Sequence, residues 1–292
     1  MNALSACGSA DLHLHTTYGW DGTATVSAIL RTAAERGLNV VAITDHDQIA
    51  GALVALELAP DYNVEVVPGI EVSTADGHLL ALYVRHVIPP GRPLLDTLQL
   101  IRQAGGLAVA PHPAAAGIHS LSREAIYWAQ REVGTARTLV GIETLNGSLL
   151  FGQRSRRVAR LLTHELGLAQ VGGSDAHSVA QVGASVTQFA GRSAADLHRA
   201  LEMRLTRAVA THTMAAPTIV ADWLLRYSLR CAANALKLPR YCPCRRRSPT
   251  RVWRLSPARR SGPGCFGPPG CSARHAAPGR CPCHTRECQP AR

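Results

Sequence analysis

The segment DLHLHTTYGWD, Asp11–Asp21, sets two histidines two residues apart behind an apolar approach. In an extended chain, residues i and i+2 share a face. His13 and His15 would then project side by side from a strand end, with Leu12 and Leu14 turned into a core. An imidazole pair presented this way suits a divalent cation. A buried pair that is merely hydrogen-bonded is the plain alternative, and the rest of the chain decides between them.

Outward from this segment, short apolar runs alternate with helical patterns. A helix is expected over Val26 to Gly37, where Val26, Ile29, Leu30 and Ala33 form one stripe. The run NVVAITDHD follows, then a helix over Gln48 to Ala59, the strand VEVVPGIEVS through Glu71, and an apolar run that starts at His78. Further helices are expected over Pro93 to Gln103, Ser122 to Glu132, Gln153 to Leu166 and Ser193 to Met203. Between them lie LAVAPHP, ending in His112-Pro113, the strand from Leu139 through Glu143, and Leu168 to Gly172 running into Gly173-Ser174-Asp175-Ala176-His177. This alternation argues for an α/β domain with a mainly parallel sheet, and six or seven such units suit a closed barrel.

His13, His15, His46, Glu71, His112, Asp175 and His177 all fall at the C-terminal ends of expected strands, where α/β barrels build their sites. His78 is the exception, at the start of its run. So many ligand-type residues at strand ends outweigh the reading as satisfied core polars, and their types are those zinc and harder divalent ions accept. Gly172-Gly173 would let backbone approach closely. Glu143 and Asn146 face the same end and are expected to support ligands or touch substrate. His86, His119, His164, His198 and His212 lack this placement and read as surface or loop residues.

The motifs DLHLHT with Asp21-Gly22, TDH at Thr44 to His46, GIE at Gly69 to Glu71, His78, HP at His112-Pro113 and GSDAH at Gly173 to His177 occur in one order over about residues 9–212. In this the chain resembles the PHP superfamily, the polymerase and histidinol phosphatase metallohydrolases. The resemblance implies a distorted seven-stranded β/α barrel of PHP type holding two or three divalent metals, manganese or zinc, with iron a third option. It implies one metal on His13, His15, Glu71 and Asp175, a second sharing Glu71 with His78 and His112, and a third on Asp21, His46 and His177. His13, His15, Glu71 and Asp175 are the expected catalytic set. The long insertion that some nucleotide-cleaving members carry between the HP and GSD motifs is missing here, and Val140 to Thr211 looks like the associated region of stand-alone members.

The net charge of +11 divides unevenly: residues 1–214 carry 16 Arg against 18 acidic groups, and residues 215–292 carry 14 Arg and one Lys against two. The basic character therefore says nothing about partners of the main domain. Only Cys7 of nine cysteines precedes residue 215, which fits a reducing cytoplasm and no disulfide framework. Met1 to Ala10 lacks the pattern of a signal peptide, and no apolar run reaches membrane-span length. Three segments are expected: a metallohydrolase domain over 1–214, an amphipathic helix over 215–241 packed on it, and a disordered Arg/Pro/Cys-rich tail over 242–292. In the helix, Trp223, Leu224, Tyr227 and Leu238 oppose Arg226, Arg230 and Lys237. The tail's composition is that of an out-of-frame read of GC-rich DNA.

The expected activity is metal-dependent phosphoesterase chemistry, with metal-bound hydroxide attacking phosphorus in a small phosphomonoester, a nucleotide or an oligonucleotide end. Arg85, Arg123 and Arg154 are candidates for the phosphate, and no obligate protein partner is evident. The alternative is a catalytically silent metal-binding module that serves a protein or nucleic-acid partner.

Overall fold

Residue 40 onward shows why the strands form where they do: Val40–Ile43 is a four-residue apolar run, buried on both faces, that ends at the polar Thr44-Asp45-His46 turn. The computed structural model of the 292-residue chain describes residues 7–132, 137–148, 151–211 and 216–237, without the side chains of 216 and 233–237. His212, Leu238 and the tail from Cys242 lie outside the described residues. All described residues belong to one compact unit, Met1–Arg240.

Among the described residues nine strands form one sheet: β1 (Cys7–Asp11), β2 (Val40–Ile43), β3 (Glu65–Ser73), β4 (His78–Leu82), β5 (Leu107–Ala110), β6 (Leu139–Asn146), β7 (Ala169–Gly173), β8 (Ser185–Ala190) and β9 (Arg207–Ala210), in the order β7-β6-β5-β4-β3-β2-β1-β8-β9. The helices are α1 (Val26–Glu35), α2 (Ala50–Leu58), α3 (Leu94–Gln103), α4 (Arg123–Arg131), α5 (Gln153–Leu166), α6 (Ala194–Glu202) and α7 (Ala216–Lys237). None of the described helices is long and apolar enough to cross a membrane.

The fold is mixed α/β, with a nearly closed, barrel-like sheet. Strands β1 to β7 curl until the chain beyond β1 meets the chain beyond β7. There the His15 N–H donates to the Ala176 carbonyl (3.0 Å), and Leu14 bridges Ala176 in parallel. At the other end of β1, strand β8 pairs antiparallel with Cys7 to Ala10 and carries β9 on its far side. These two strands, joined through α6, raise the strand count from the expected seven to nine.

The expectation of a mainly parallel sheet is corrected: β1–β2, β2–β3, β5–β6 and β6–β7 are parallel, and the other four pairs, β3–β4, β4–β5, β1–β8 and β8–β9, are antiparallel. For the two pairs of β4 the cause is the short turn between Ser73 and His78, too short for a crossover helix. Thr74 closes it, its hydroxyl accepting from the Gly77 N–H (3.1 Å) and donating to the Gly77 carbonyl (2.6 Å). Because β4 runs backwards, its first residue lies at the end where the parallel strands finish. That accounts for His78 standing at the start of its run.

The sheet's outer apolar side packs under α1 to α5, with Ile29, Leu30, Ile70, Leu98, Ile101, Ile126 and Leu162 fully buried. The inner side, with Leu12, Val67, Leu80, Leu82 and Val109, forms a second cluster joined by Leu197 and Leu201 of α6.

Candidate metal centre

Each ligand-type side chain leaves the same rim of the barrel. His13 and His15 lie just beyond β1, which ends at Asp11, so the expected placement within the strand moves by two to four residues. The alternation survives nonetheless: Leu12 and Leu14 are fully buried and the two imidazole centroids stand 5.1 Å apart. Asp21 sits in the β1–α1 loop, His46 after β2, Glu71 inside β3, His78 at the start of β4, His112 after β5, and Asp175 and His177 after β7. His112 (φ 28°) and Asp175 (φ 52°) hold positive φ angles that side-chain-bearing residues seldom adopt, and such backbone strain gathers at functional sites.

Buried polar anchors hold these loops in place. The Asp45 carboxylate accepts from the Thr16 N–H (2.6 Å) and hydroxyl (2.7 Å). The Asp11 carboxylate accepts from the Ser174 N–H (2.9 Å) and hydroxyl (2.5 Å) and from the Gly183 N–H (2.7 Å), which ties β1 to the turn after β7. Burial pushes the Asp11 carboxyl up to about 6 against the pull of these donors. The paired glycines act as expected: a Cβ on Gly173 would lie 2.4 Å from Glu143 Oε1, and one on Gly172 would lie 2.3 Å from the Val186 carbonyl.

Glu71, almost fully buried, divides its two oxygens between two groups of histidines. Oε2 faces His13 Nε2 (3.1 Å), His15 Nε2 (3.3 Å) and His46 Nε2 (3.5 Å). Oε1 faces His78 Nδ1 (3.0 Å) and His112 Nε2 (3.0 Å). Asp175 Oδ1 approaches His13 Nε2 (3.5 Å) and His15 Nε2 (3.3 Å), and Asp21 Oδ2 approaches His46 Nε2 (3.3 Å) and His177 Nε2 (2.9 Å). All nine residues expected from the sequence are thus brought together, and overlapping triads of their nitrogens and oxygens lie within 4.8 Å of one another.

The electrostatics follow from this mutual facing. Burial would push Glu71 up, yet His13 and His46 beside it and the hydrogen bond from His112 hold it well below the usual carboxylate range. Burial likewise opposes, and the histidines overcome, in Asp175 and Asp21, which are held far down. Conversely, burial would lower His13 and His15, but Asp175 and Glu71 push His13 well up and His15 up to about 10. Three buried carboxylates at one point require positive charge there, whether from protons or from metal.

A metal fits the site better than protons do. His15 is fully buried, and its Nε2 meets Glu71 and Asp175 (both 3.3 Å) and its Nδ1 meets Asp21 Oδ1 (3.7 Å) only as ion-pair contacts without hydrogen-bond geometry. Buried polar atoms without aligned hydrogen bonds are costly unless something else coordinates them. Mixed imidazole and carboxylate donors suit divalent metals. The supports are also those of a metal centre: a carboxylate only accepts, so His13 donates from Nδ1 to Glu143 Oε1 (2.9 Å) and keeps Nε2 for the cluster. Glu143 Oε2 accepts from the His112 N–H (2.9 Å) and Asn146 Nδ2 (2.7 Å).

Some residues fall elsewhere than the sequence suggests. His119, expected outside the site, meets His78 edge-on with centroids 5.5 Å apart. Arg123 is engaged by Glu165, with both oxygens at 3.2 Å, and Arg85 and Arg154 are exposed. Arg230, placed by the helical pattern on a solvent face, instead bonds the carbonyls of Gly22, Thr17 (3.1 Å) and Gly19 (2.8 Å). Asp11, Asp45 and Ser174 escaped notice because their partners are distant in sequence.

Residues 11–148 match the PHP domain and residues 153–206 match the PHP-associated region. An uncharacterized protein of Methanocaldococcus jannaschii is 40% identical over 114 residues, 36% of this chain and 67% of that protein. The phosphoribosyl 1,2-cyclic phosphate 1,2-diphosphodiesterase of Eggerthella lenta is 42% identical over 85 residues, 27% of this chain, so the chain spans about a third (32%) of that relative. PsfC from Pseudomonas syringae shares the fold, with a TM-score of 0.55 at 22% identity over 76% of this chain and 99% of that one. The motif order, the barrel rim and these matches agree: the chain belongs to the PHP family.

Proposed function

We propose that this chain is a metal-dependent phosphoric ester hydrolase acting on a small phosphorylated substrate. The observation that carries the proposal is the split of Glu71 between two histidine groups, the arrangement a carboxylate bridging two cations requires. His13, His15, Glu71 and Asp175 would hold one ion, Glu71, His78 and His112 a second, and Asp21, His46 and His177 a third, with manganese or zinc the matching metals. Bound there, divalent ions would polarise phosphoryl oxygens and make water acidic enough to act near neutral pH. The chain's own residues orient and exclude: Glu143 fixes the His13 ring, Asp45 and Asp11 fix the loops, and the buried rim keeps bulk water from Glu71. The matched relative named a diphosphodiesterase supports phosphoester chemistry. A hydrolase domain over 1–214, capped by 215–241 and working in the cytoplasm, completes the reading. The lone Cys7 before residue 215 supports that compartment.

The test is a phosphate-release screen over phosphomonoesters and nucleotides with manganese- or zinc-loaded protein, alongside metal analysis. Two or three bound ions with turnover are expected. Glu71→Gln, which keeps size but removes charge, should lose at least one ion and the turnover while staying folded. His164→Ala, on the exposed face of α5, should change neither. One tightly held ion with no release from any substrate would favour the silent-module alternative.

A further inference from the structure

Beside the cluster lies a cavity of about 430 Å³ whose two sides differ in chemistry. Asp21, Asp175 and His177 form its polar side. Trp20, Ile219, Trp223 and Leu224 contribute an apolar side. We propose that Trp20 and α7 form a substrate-binding wall that takes a planar aromatic group attached to the phosphoester. This deepens the reading above and rests on it for the position of the phosphate.

Three observations support an aromatic occupant. First, both indoles are held in place before any ligand arrives. Trp20 is stacked on His46 with centroids 5.7 Å apart and planes 21° apart. Trp223 is stacked on Tyr227 at 4.8 Å and 14°, and its N–H donates to the Asp21 carbonyl (3.1 Å). Fixed flat rings favour a flat partner, because offset and edge-on packing both need defined planes. Second, Trp20 stands 67% exposed at the cavity, although an indole normally buries most of its surface. A single exposed ring is unremarkable, but this one stacks on a member of the cluster and lines the same cavity. Third, α7 is fastened to the loop that carries Trp20 and Asp21, since Arg230 bonds the carbonyls of Thr17, Gly19 and Gly22. Trp20, Asp21 and the anchor points of α7 therefore share one loop, which sets the spacing between the wall and Asp21.

The α7 side of the wall lies beyond the matched family domains, whereas Trp20 lies within one. The two family matches end at residue 206, and α7 begins at Ala216. A segment beyond the shared domain that reaches its cavity is placed to select among substrates with a common phosphate end. Trp20 and Trp223 are specificity-determining in this account, and the cluster supplies the shared chemistry.

The experiment compares two non-hydrolysable probes with the same anionic head, phenylphosphonate and methylphosphonate, by calorimetric titration of the metal-loaded full chain. Phenylphosphonate is expected to bind about tenfold tighter, the size an aromatic pair contributes. Trp20→Ala and Leu224→Glu should each bring that ratio toward one, with metal content checked in both variants. Equal affinities of the two probes for the unaltered protein would overturn the proposal whether or not the variants fold, and so would a ratio that neither variant changes. The two readings fail separately: a phenyl preference without phosphate release from any ester removes the phosphoesterase, and phosphate release without a phenyl preference removes the wall.

Discussion

Glu143 serves two residues of the cluster at once, orienting the His13 ring and fixing the backbone N–H of His112. Glu143→Gln leaves one oxygen for three donors and turns an amide N–H toward groups that themselves donate. Metal affinity is expected to fall by about 10–100-fold, the usual effect of losing such a support, with circular dichroism unchanged. Competition against a chelating dye measures it, and unaltered affinity would mean that His13 is oriented by packing alone. Glu143 and Asn146 were legible in sequence because they fall in the last residues of an apolar strand run at the site's end. Asp11 was not, since its partners Ser174 and Gly183 lie more than 160 positions away.

At the scale of elements, closure of the sheet depends on how closely β7 approaches β8. Thr187 fastens the two, its hydroxyl donating to the Gly172 carbonyl and accepting from the Gly172 N–H, both at 2.9 Å. A methyl group at residue 172 would meet the Val186 carbonyl, so Gly172→Ala should cost about 1–3 kcal/mol through overpacking. A thermal melt lowered by several degrees is the expected result, and an unchanged melt would show that the strands can separate freely. Helix α6 offers a test by pH. Ser193 and Asp196 cap it reciprocally: the Ser193 hydroxyl accepts from the Asp196 N–H (3.0 Å), and Asp196 Oδ2 accepts from the Ser193 N–H (3.1 Å). The Ser193 N–H and hydroxyl and the Arg192 N–H, all donating to Oδ2, hold the partly exposed Asp196 carboxyl down to about 2, below the roughly 3.9 of an unfolded chain. A depressed carboxyl stabilises the fold above about pH 4 and loses that contribution as pH falls toward 2. Ser193→Ala should therefore cost about 1 kcal/mol at pH 7 and less at pH 3, read from urea unfolding. A gap that does not vary with pH would rule out the carboxylate's part.

For the whole molecule, the cluster gathers three carboxylates and six histidines at one rim, so stability and metal content are linked. An ion that binds only the folded chain adds RT ln(1 + [L]/Kd), about 2.7 kcal/mol at a hundredfold excess over Kd. Chelation with EDTA should lower the melting temperature, and readdition of manganese or zinc should restore it. Metal uptake should also release protons, because histidines bind metal unprotonated, so the stabilising shift should shrink as pH falls. A melting temperature indifferent to chelator at neutral pH would count against a resident metal.

The sequence alone determined the alternation of strands and helices, the core stripes and the strand-end position of seven ligand-type residues, because burial and backbone period act over a few residues. It also held the motif order that the family matches bear out. Only the tertiary structure decided that β4 runs antiparallel and so brings His78 to the same rim, and that β8 and β9 extend the sheet. It alone showed that His119 touches His78 and that Arg230 turns inward. These depend on which distant backbone carbonyls, rings and carboxylates meet when the barrel closes, and no local period of the chain encodes such pairings.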